Sequence, residues 1–303
     1  MKKFILIIFI AITGLVGAAK AQHALFSQYM FNTYLINPGV AGINDQIEAS
    51  VGYRNQWVYF EGAPKTIYAS IHSPLNKKGP RYNKKDKPYH ALGGYIFSDK
   101  YGPIQEFGAN VSYTYHMSFT QKIKASFGMY GGVRQYIFNK NEMTTFIEND
   151  PRVSSLKNEL SLDGGFGSWI YSDNVYLGIS GNDLLSFSGF AFNNYYLTSG
   201  YRHRINRDLE VIPSFLLKAT HAAPFQVDIN AKLRLYNMYW AGLSYRTNKS
   251  VVVLAGLKLK EMLAIGYSYD IPWMHVEKFR AASHEIFVTY YFGKPGVRCP
   301  EFW

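Results

Sequence analysis

The residues best placed to do chemistry stand two apart in one stretch, "QVDINAKLRLY" (226–236). Asp228, Asn230, Lys232 and Arg234 share one parity, while Val227, Ile229, Ala231, Leu233 and Leu235 share the other. Such a set makes a ladder of charge along one wall, and the simplest chemistry for it is to face water. A second concentration lies in "PLNKKGPRYNKKDKPYH" (74–90), where Lys77, Lys78, Arg81, Lys84, Lys85 and Lys87 stand against Asp86 alone. A run of like charge is either a solvated loop or a docking patch for an acidic partner. Catalytic patterns are missing: there is no G-x-S-x-G, H-E-x-x-H, Walker loop or G-x-G-x-x-G. The eight histidines are scattered without metal-ligand spacing, and His203 sits between Arg202 and Arg204, which disfavours a bound cation. The expectation is a protein that is not an enzyme and carries no cofactor or metal. Cys299, the single cysteine, excludes an internal disulfide framework.

The same two-residue period recurs along most of the chain. In "IEASVGYR" (47–54), Ile47, Ala49, Val51 and Tyr53 alternate with Glu48, Ser50, Gly52 and Arg54. "ANVSYTYHMSF" (109–119) and "LAIGYSYDI" (263–271) repeat the division, with small or polar residues on the second parity. Runs of this kind predict about fourteen strands, at 46–57, 65–73, 89–97, 104–117, 121–138, 161–171, 174–181, 193–203, 208–219, 225–236, 238–246, 250–259, 262–271 and 283–292. Their lengths suit strands that cross a bilayer at a tilt, and an even number suits a closed antiparallel barrel. The expected fold class is therefore an all-β transmembrane antiparallel barrel with short periplasmic turns and longer extracellular loops. The short connections are 119–121, 172–174, 206–208, 236–237 and 260–261; the long ones are 58–64, 98–103, 139–160, 182–192 and 272–282. The basic stretch 74–90 breaks this pattern, being long on the supposed periplasmic side.

Composition agrees with a lipid-facing wall. Mean hydropathy is only −0.14, yet 17% of residues are aromatic and 17% charged, against roughly a quarter charged in soluble domains. Residues 1–21 read as an export signal: Lys2 and Lys3, an apolar run from Phe4 to Val16, and Ala19-Lys20-Ala21 before a cleavage point at Ala21/Gln22. Residues 22–45 do not alternate and are expected to form a short helix and turn inside or beneath the barrel, as a plug. The barrel is then 46–292 and the tail 293–303. Without the leader, 29 basic residues face 21 acidic ones, a surplus suited to anionic lipid or acidic partners. No basic stripe is interleaved with aromatic residues, so nucleic acid is not an expected partner.

Several blocks resemble the PorP/SprF family of type IX secretion system membrane proteins. They are "FSQYMFNTYLINPGVAG" (26–42), "YRNQWVYFEGAPKTIYASIHSPL" (53–75), "GGYIFSDKYGPI" (93–104), "YYLTSGYRHRI" (195–205), "PSFLLK" (213–218), "FQVDINAKL" (225–233), "WAGLSYR" (240–246), "IGYSYDI" (265–271) and "SHEIFVTYYF" (283–292). The resemblance implies an outer-membrane barrel of Bacteroidota that works with the type IX machinery. It implies export or surface attachment of cargo with C-terminal sorting domains, including gliding adhesins. Within its blocks Asn37, Pro38, Arg54 and Trp57 become candidate partner-binding residues, beside Gln28, Tyr29, Asn32, Gly42, Gln56, Pro64, Lys65 and Thr66. Each also has a structural reading: Pro38 makes a turn and Trp57 suits an interfacial aromatic girdle. Loops 139–160, 182–192 and 272–282 are candidates for cargo contact. The alternatives are a porin or small-solute transporter, which needs an open bore, and a lipid enzyme embedded in the wall.

Overall fold

The computed structural model describes residues 29–44, 46–75, 88–120, 122–143, 153, 155–185, 193–220, 223–247, 250–272 and 282–293. The export signal, the basic stretch 76–87, the loop stretches 144–152, 186–192 and 273–281, and the tail beyond Gly293 lie outside the described residues. So do Lys77, Lys78, Arg81, Lys84, Lys85 and Lys87.

The wall begins with β1 (Ile47–Asn55), β2 (Lys65–Pro74), β3 (Tyr89–Tyr101), β4 (Ile104–Ser118) and β5 (Lys124–Phe138). It continues through β6 (Glu159–Tyr171), β7 (Val175–Asn182) and β8 (Asn194–Tyr201), which resumes after Arg202 as β9 (His203–Arg204). It ends with β10 (Leu209–Thr220), β11 (Gln226–Leu235), β12 (Tyr239–Arg246), β13 (Ser250–Leu259), β14 (Leu263–Pro272) and β15 (Ser283–Phe292). Because β8 and β9 both pair with β10, they share one position, and the wall has fourteen. Every neighbour is antiparallel, and β15 pairs with β1 from Ile47↔Phe292 to Asn55↔His284, which closes the cylinder. Closure leaves no unpaired edge at that seam, as a strand in hydrocarbon requires. No helix of the described residues is long and apolar enough to cross a membrane.

The parity read from the sequence is the parity of the wall. Val51, Ile67, Ile71, Ile96, Val111 and Leu243 are exposed outward, while Glu48, Ser50, Arg54, Ser70 and Ser244 are buried inward. Outward Ile229 is 58% exposed. Ile229→Arg is therefore expected to cost roughly 2–4 kcal/mol near mid-membrane. Chemical unfolding from lipid vesicles measures this, and an unchanged midpoint would mean that this face does not meet acyl chains.

The short turns obey strand twist. Met238 N–H reaches Leu235 C=O at 3.0 Å across Tyr236 (φ 54) and Asn237 (φ 52). Met262 does the same to Leu259 at 3.0 Å across Lys260 (φ 47) and Glu261 (φ 57). Two successive positive φ values give the mirror-image turn that twisted hairpins select. One expected loop is corrected. Residues 98–103 are mostly strand: β3 runs to Tyr101 and meets β4 at Ile104, with Gly102 at φ 56 making the turn. Asp99 points inward there and accepts from Thr66 Oγ1 at 2.7 Å, so these polar residues extend the wall rather than leave it.

Candidate functional site

Described residues 29–44 lie inside the cylinder and nearly all are buried. They form two single 3₁₀ turns, Thr33–Leu35 and Pro38–Val40, rather than a longer helix. Pro38 opens the second turn because its missing N–H would have no partner there, and Asn37 caps it, its Oδ1 accepting from Gly39 N–H at 2.8 Å.

Inward side chains hold the backbone of this segment along its length. Ser180 Oγ donates to Ile36 C=O at 2.6 Å, Thr114 Oγ1 to Pro38 C=O at 2.8 Å, and Ser126 Oγ to Gly39 C=O at 2.5 Å. His116 Nε2 donates to Ala41 C=O at 2.7 Å, and His72 Nδ1 accepts from Gly42 N–H at 3.2 Å. Side chains of the segment reply: Asn37 Nδ2 to Ser168 C=O at 3.1 Å, Asn32 Nδ2 to Ser70 Oγ at 3.1 Å, and Tyr34 OH to Ser112 Oγ at 2.7 Å. Buried backbone groups are costly without partners, so this wall supplies what a sheet neighbour would otherwise give. Glycines make the room. A Cβ on Gly128 would stand 2.5 Å from Pro38 O, and one on Gly167 2.0 Å from Asn37 Oδ1. Apolar contacts complete the fit, with Phe31 stacked on Trp240 at 3.7 Å between ring centroids, and Val40 and Ile43 against Trp169.

Toward the long-loop rim the inward face is ionic and dry. Arg54 meets Glu285 at 3.1 Å and Asp270 at 3.2 Å; Arg246 meets Asp228 at 3.0 Å and the same Asp270 oxygen at 3.2 Å. This network ties β1, β15, β14, β12 and β11 together. A second centre is Arg134, which binds Glu106 at 2.7 Å, Asp163 at 3.0 Å and Asp183. The charge ladder of β11 is thus not simply hydrated. Asp228 is 1% exposed and paired with Arg246, while Arg234 pairs with Glu210. Wall side chains thus answer the charges at Asp228 and Arg234, and between them Asn230 Nδ2 donates to Tyr29 OH of the lumenal segment at 2.7 Å.

The candidate partner-binding residues separate accordingly. Asn37 and Pro38 are cap and turn inside the lumen, and Arg54 is a 2%-exposed member of the rim network. Trp57 lies on the long-loop rim, half-exposed, its backbone N–H donating to Ser283 Oγ at 3.2 Å. The structure does not gather these four into one surface. The residues that do converge are Ser126, Gly128, Gly167, Ser180, His72 and His116. A sequence signal for them exists: Gly and Ser crowd the inward parity of β4 to β7. Among the described residues no group of three or more His, Cys, Asp or Glu could hold a metal ion.

Comparison with known proteins gives three findings. The family model of "Type IX secretion system membrane protein PorP/SprF" matches residues 18–290. A search of curated proteins returned no match. Among solved structures, a TodX monoaromatic hydrocarbon channel lacking two segments is similar at TM-score 0.52 and 13% identity, covering 86% of this chain and 94% of that one. A related TodX mutant gives TM-score 0.50 at 13% identity, over 88% and 95%. A porin mutant of Rh. blastica gives 0.37 at 8% identity, over 82% and 99%. At these identities the TodX likeness speaks for the fold alone.

Proposed function

The chain belongs to the PorP/SprF family of type IX secretion system membrane proteins, and from that premise we propose that it anchors secreted proteins at the cell surface. Family and fold together support an outer-membrane location and association with the secretion machinery. In our reading, residues 1–21 are removed on export in a Bacteroidota cell, and the barrel sits in outer-membrane lipid as a non-enzymatic scaffold. Its cargo is a secreted protein or adhesin carrying a C-terminal sorting domain, such as one used in gliding motility. The outer loops grip that domain, and the basic stretch Lys77 to Lys87 faces the periplasmic machinery.

One observation carries this reading: residues 29–44 occupy the lumen with their backbone bonded to the wall. A scaffold needs rigidity and no bore, whereas a porin needs water-filled space. The rival is a porin or small-solute transporter, which would need such a bore. Affinity capture from intact cells tests the anchor. One secreted protein should dominate the capture, and charge reversal at Lys77, Lys78, Lys84 and Lys85 should lose the machinery while keeping that cargo. Capture of the barrel alone would overturn the anchor.

A further inference from the structure

One side-chain constellation occurs twice on the outside of the wall, once near each rim. In β4, "YTY" (113–115) turns Tyr113 and Tyr115 outward, and His90 of β3 lies opposite Tyr115. In β14, "YSY" (267–269) does the same, and His284 of β15 lies opposite Tyr269. The contacts repeat as well. His90 Nδ1 and Tyr113 OH share a hydrogen bond at 2.6 Å, and His284 Nδ1 and Tyr267 OH share one at 2.5 Å. Ring centroids stand 5.3 Å apart for His90 and Tyr115, and 5.1 Å apart for His284 and Tyr269. His90 is the second residue of β3, beside the periplasmic connection, whereas His284 is the second residue of β15, beside a long outer loop. On its other side His90 meets Leu75 and His284 meets Asn55, so no acid stands directly opposite either ring.

From this we propose that each His–Tyr–Tyr cluster holds the headgroup phosphate of one membrane lipid, one in each leaflet. Tyrosine settles where hydrocarbon meets water, because its ring is apolar and its tip polar. An imidazole at that depth adds a group that can donate and can carry charge. The tyrosine hydroxyl occupies Nδ1 in both copies, and among the described residues neither Nε2 has a hydrogen-bond partner. Where the tyrosine O–H donates to Nδ1, Nε2 carries the ring proton and must find its acceptor outside the protein. Phosphate is the charged acceptor at headgroup depth, and hydrogen bonds to charged groups are roughly twice as strong as neutral ones. Tyr115 and Tyr269, packed beside the imidazoles, offer apolar surface to the first methylenes of the acyl chains. A free phosphate would gain the polar contact without the apolar one, so the occupant is a lipid. The clusters stand in separate sectors of the wall, with β1 and β2 between them. Gripping both leaflets from two sectors fixes the height and tilt of the barrel. This inference concerns the lipid around the wall and is independent of whether the barrel carries cargo.

The test uses the full chain in dodecyl maltoside micelles, which contain no phosphate, with dimyristoyl phosphatidylglycerol added and native mass spectrometry counting the lipids retained. Dimyristoylglycerol, which has the same chains and no phosphate, and inorganic phosphate are the controls. The expected result is two tightly held phosphatidylglycerol molecules and no comparable retention of dimyristoylglycerol. His90→Phe and His284→Phe should each weaken one of the two by about tenfold or more, as loss of a hydrogen bond to a charged group implies, and the double variant should lose both. Phenylalanine keeps an aromatic ring on the lipid face, and heat-modified gel mobility verifies that the wall still folds. His90→Gln and His284→Gln, which keep a donor and cannot carry charge, form the second pair and should fall between the Phe variants and the unmodified chain. Retention of both lipids by the double Phe variant, or equal retention of dimyristoylglycerol, overturns the phosphate sites. If inorganic phosphate binds as tightly as the lipid, the clusters read a soluble anion and the lipid occupant is overturned.

Discussion

Arg134→Met is expected to destabilise the barrel by about 3–5 kcal/mol, the cost of stripping the partner from buried charge. Arg134 is 2% exposed and serves Glu106 at 2.7 Å, Asp163 at 3.0 Å and Asp183. These acids come from β4, β6 and the turn after β7, so one guanidinium joins three parts of the wall. Its planar fork can satisfy several carboxylates at once, which a lysine cannot. Asn110 donates to Asp163 at 2.9 Å and Asn194 to Asp183 at 2.6 Å, but neither carries charge. Without Arg134 the three carboxylates would face one another across a dry interior. Urea unfolding, followed by heat-modified gel mobility, measures the loss. Arg204→Met is the matched control: its side chain is 64% exposed although it also meets a carboxylate, Glu210 at 2.8 Å. Exposed pairs contribute about 0–1 kcal/mol, so this variant should barely shift the midpoint. Adding Asp183→Asn and Glu106→Gln to Arg134→Met should recover part of the loss. Equal midpoints for the two arginine variants would show that the Arg134 centre is solvated and not structural.

This prediction also marks where the sequence was legible. Strand positions were readable because lipid imposes a period of two on every crossing, and β15 falls at 283–292 as its alternation predicts. The period fades where other neighbours intervene. Ser98 to Tyr101 rise into polar surroundings, so they resemble a loop although they pair with β4. In β13, Val252 and Leu254 break the alternation because they share a buried cluster with Met30 and Phe31 of the lumenal segment. The candidate site was harder still. Asn230 meets Tyr29 across 201 positions and Ser180 meets Ile36 across 144. No local pattern announces such partners. Arg54 stood out within a family-like block, yet its reason is an ion pair with Glu285, 231 residues away. Polar parity indicated which residues point inward; it could not indicate that a chain segment, rather than water, would receive them.

That distinction yields the second large effect. Gly128→Val is expected to expel residues 29–44 and turn a silent barrel into one that passes steady current. Gly128 lies mid-strand in β5 and faces inward, and its missing side chain is where the segment passes. A Cβ there would meet Pro38 O at 2.5 Å, Pro38 C at 2.6 Å and Gly39 N at 2.7 Å. All three are backbone atoms of a capped turn, so no side-chain rotation relieves the clash. The wall itself should accept the change, since valine suits a strand better than glycine does. Gly131→Val separates the two effects: it lies three residues along the same strand, points outward, and its Cβ would meet nothing within 4 Å. The strand gains the same propensity there with no collision. Planar-bilayer recordings should therefore show closure for the unmodified chain and for Gly131→Val, and a steady open level for Gly128→Val. Asn37→Ala should fall between them. It loses the 2.8 Å cap to Gly39 and the bond to Ser168, at about 1–3 kcal/mol, enough for brief openings. If the unmodified chain already conducts steadily, the segment does not seal the lumen and the porin reading displaces the anchor. If Gly128→Val folds and stays silent, the seal resides elsewhere in the ionic interior.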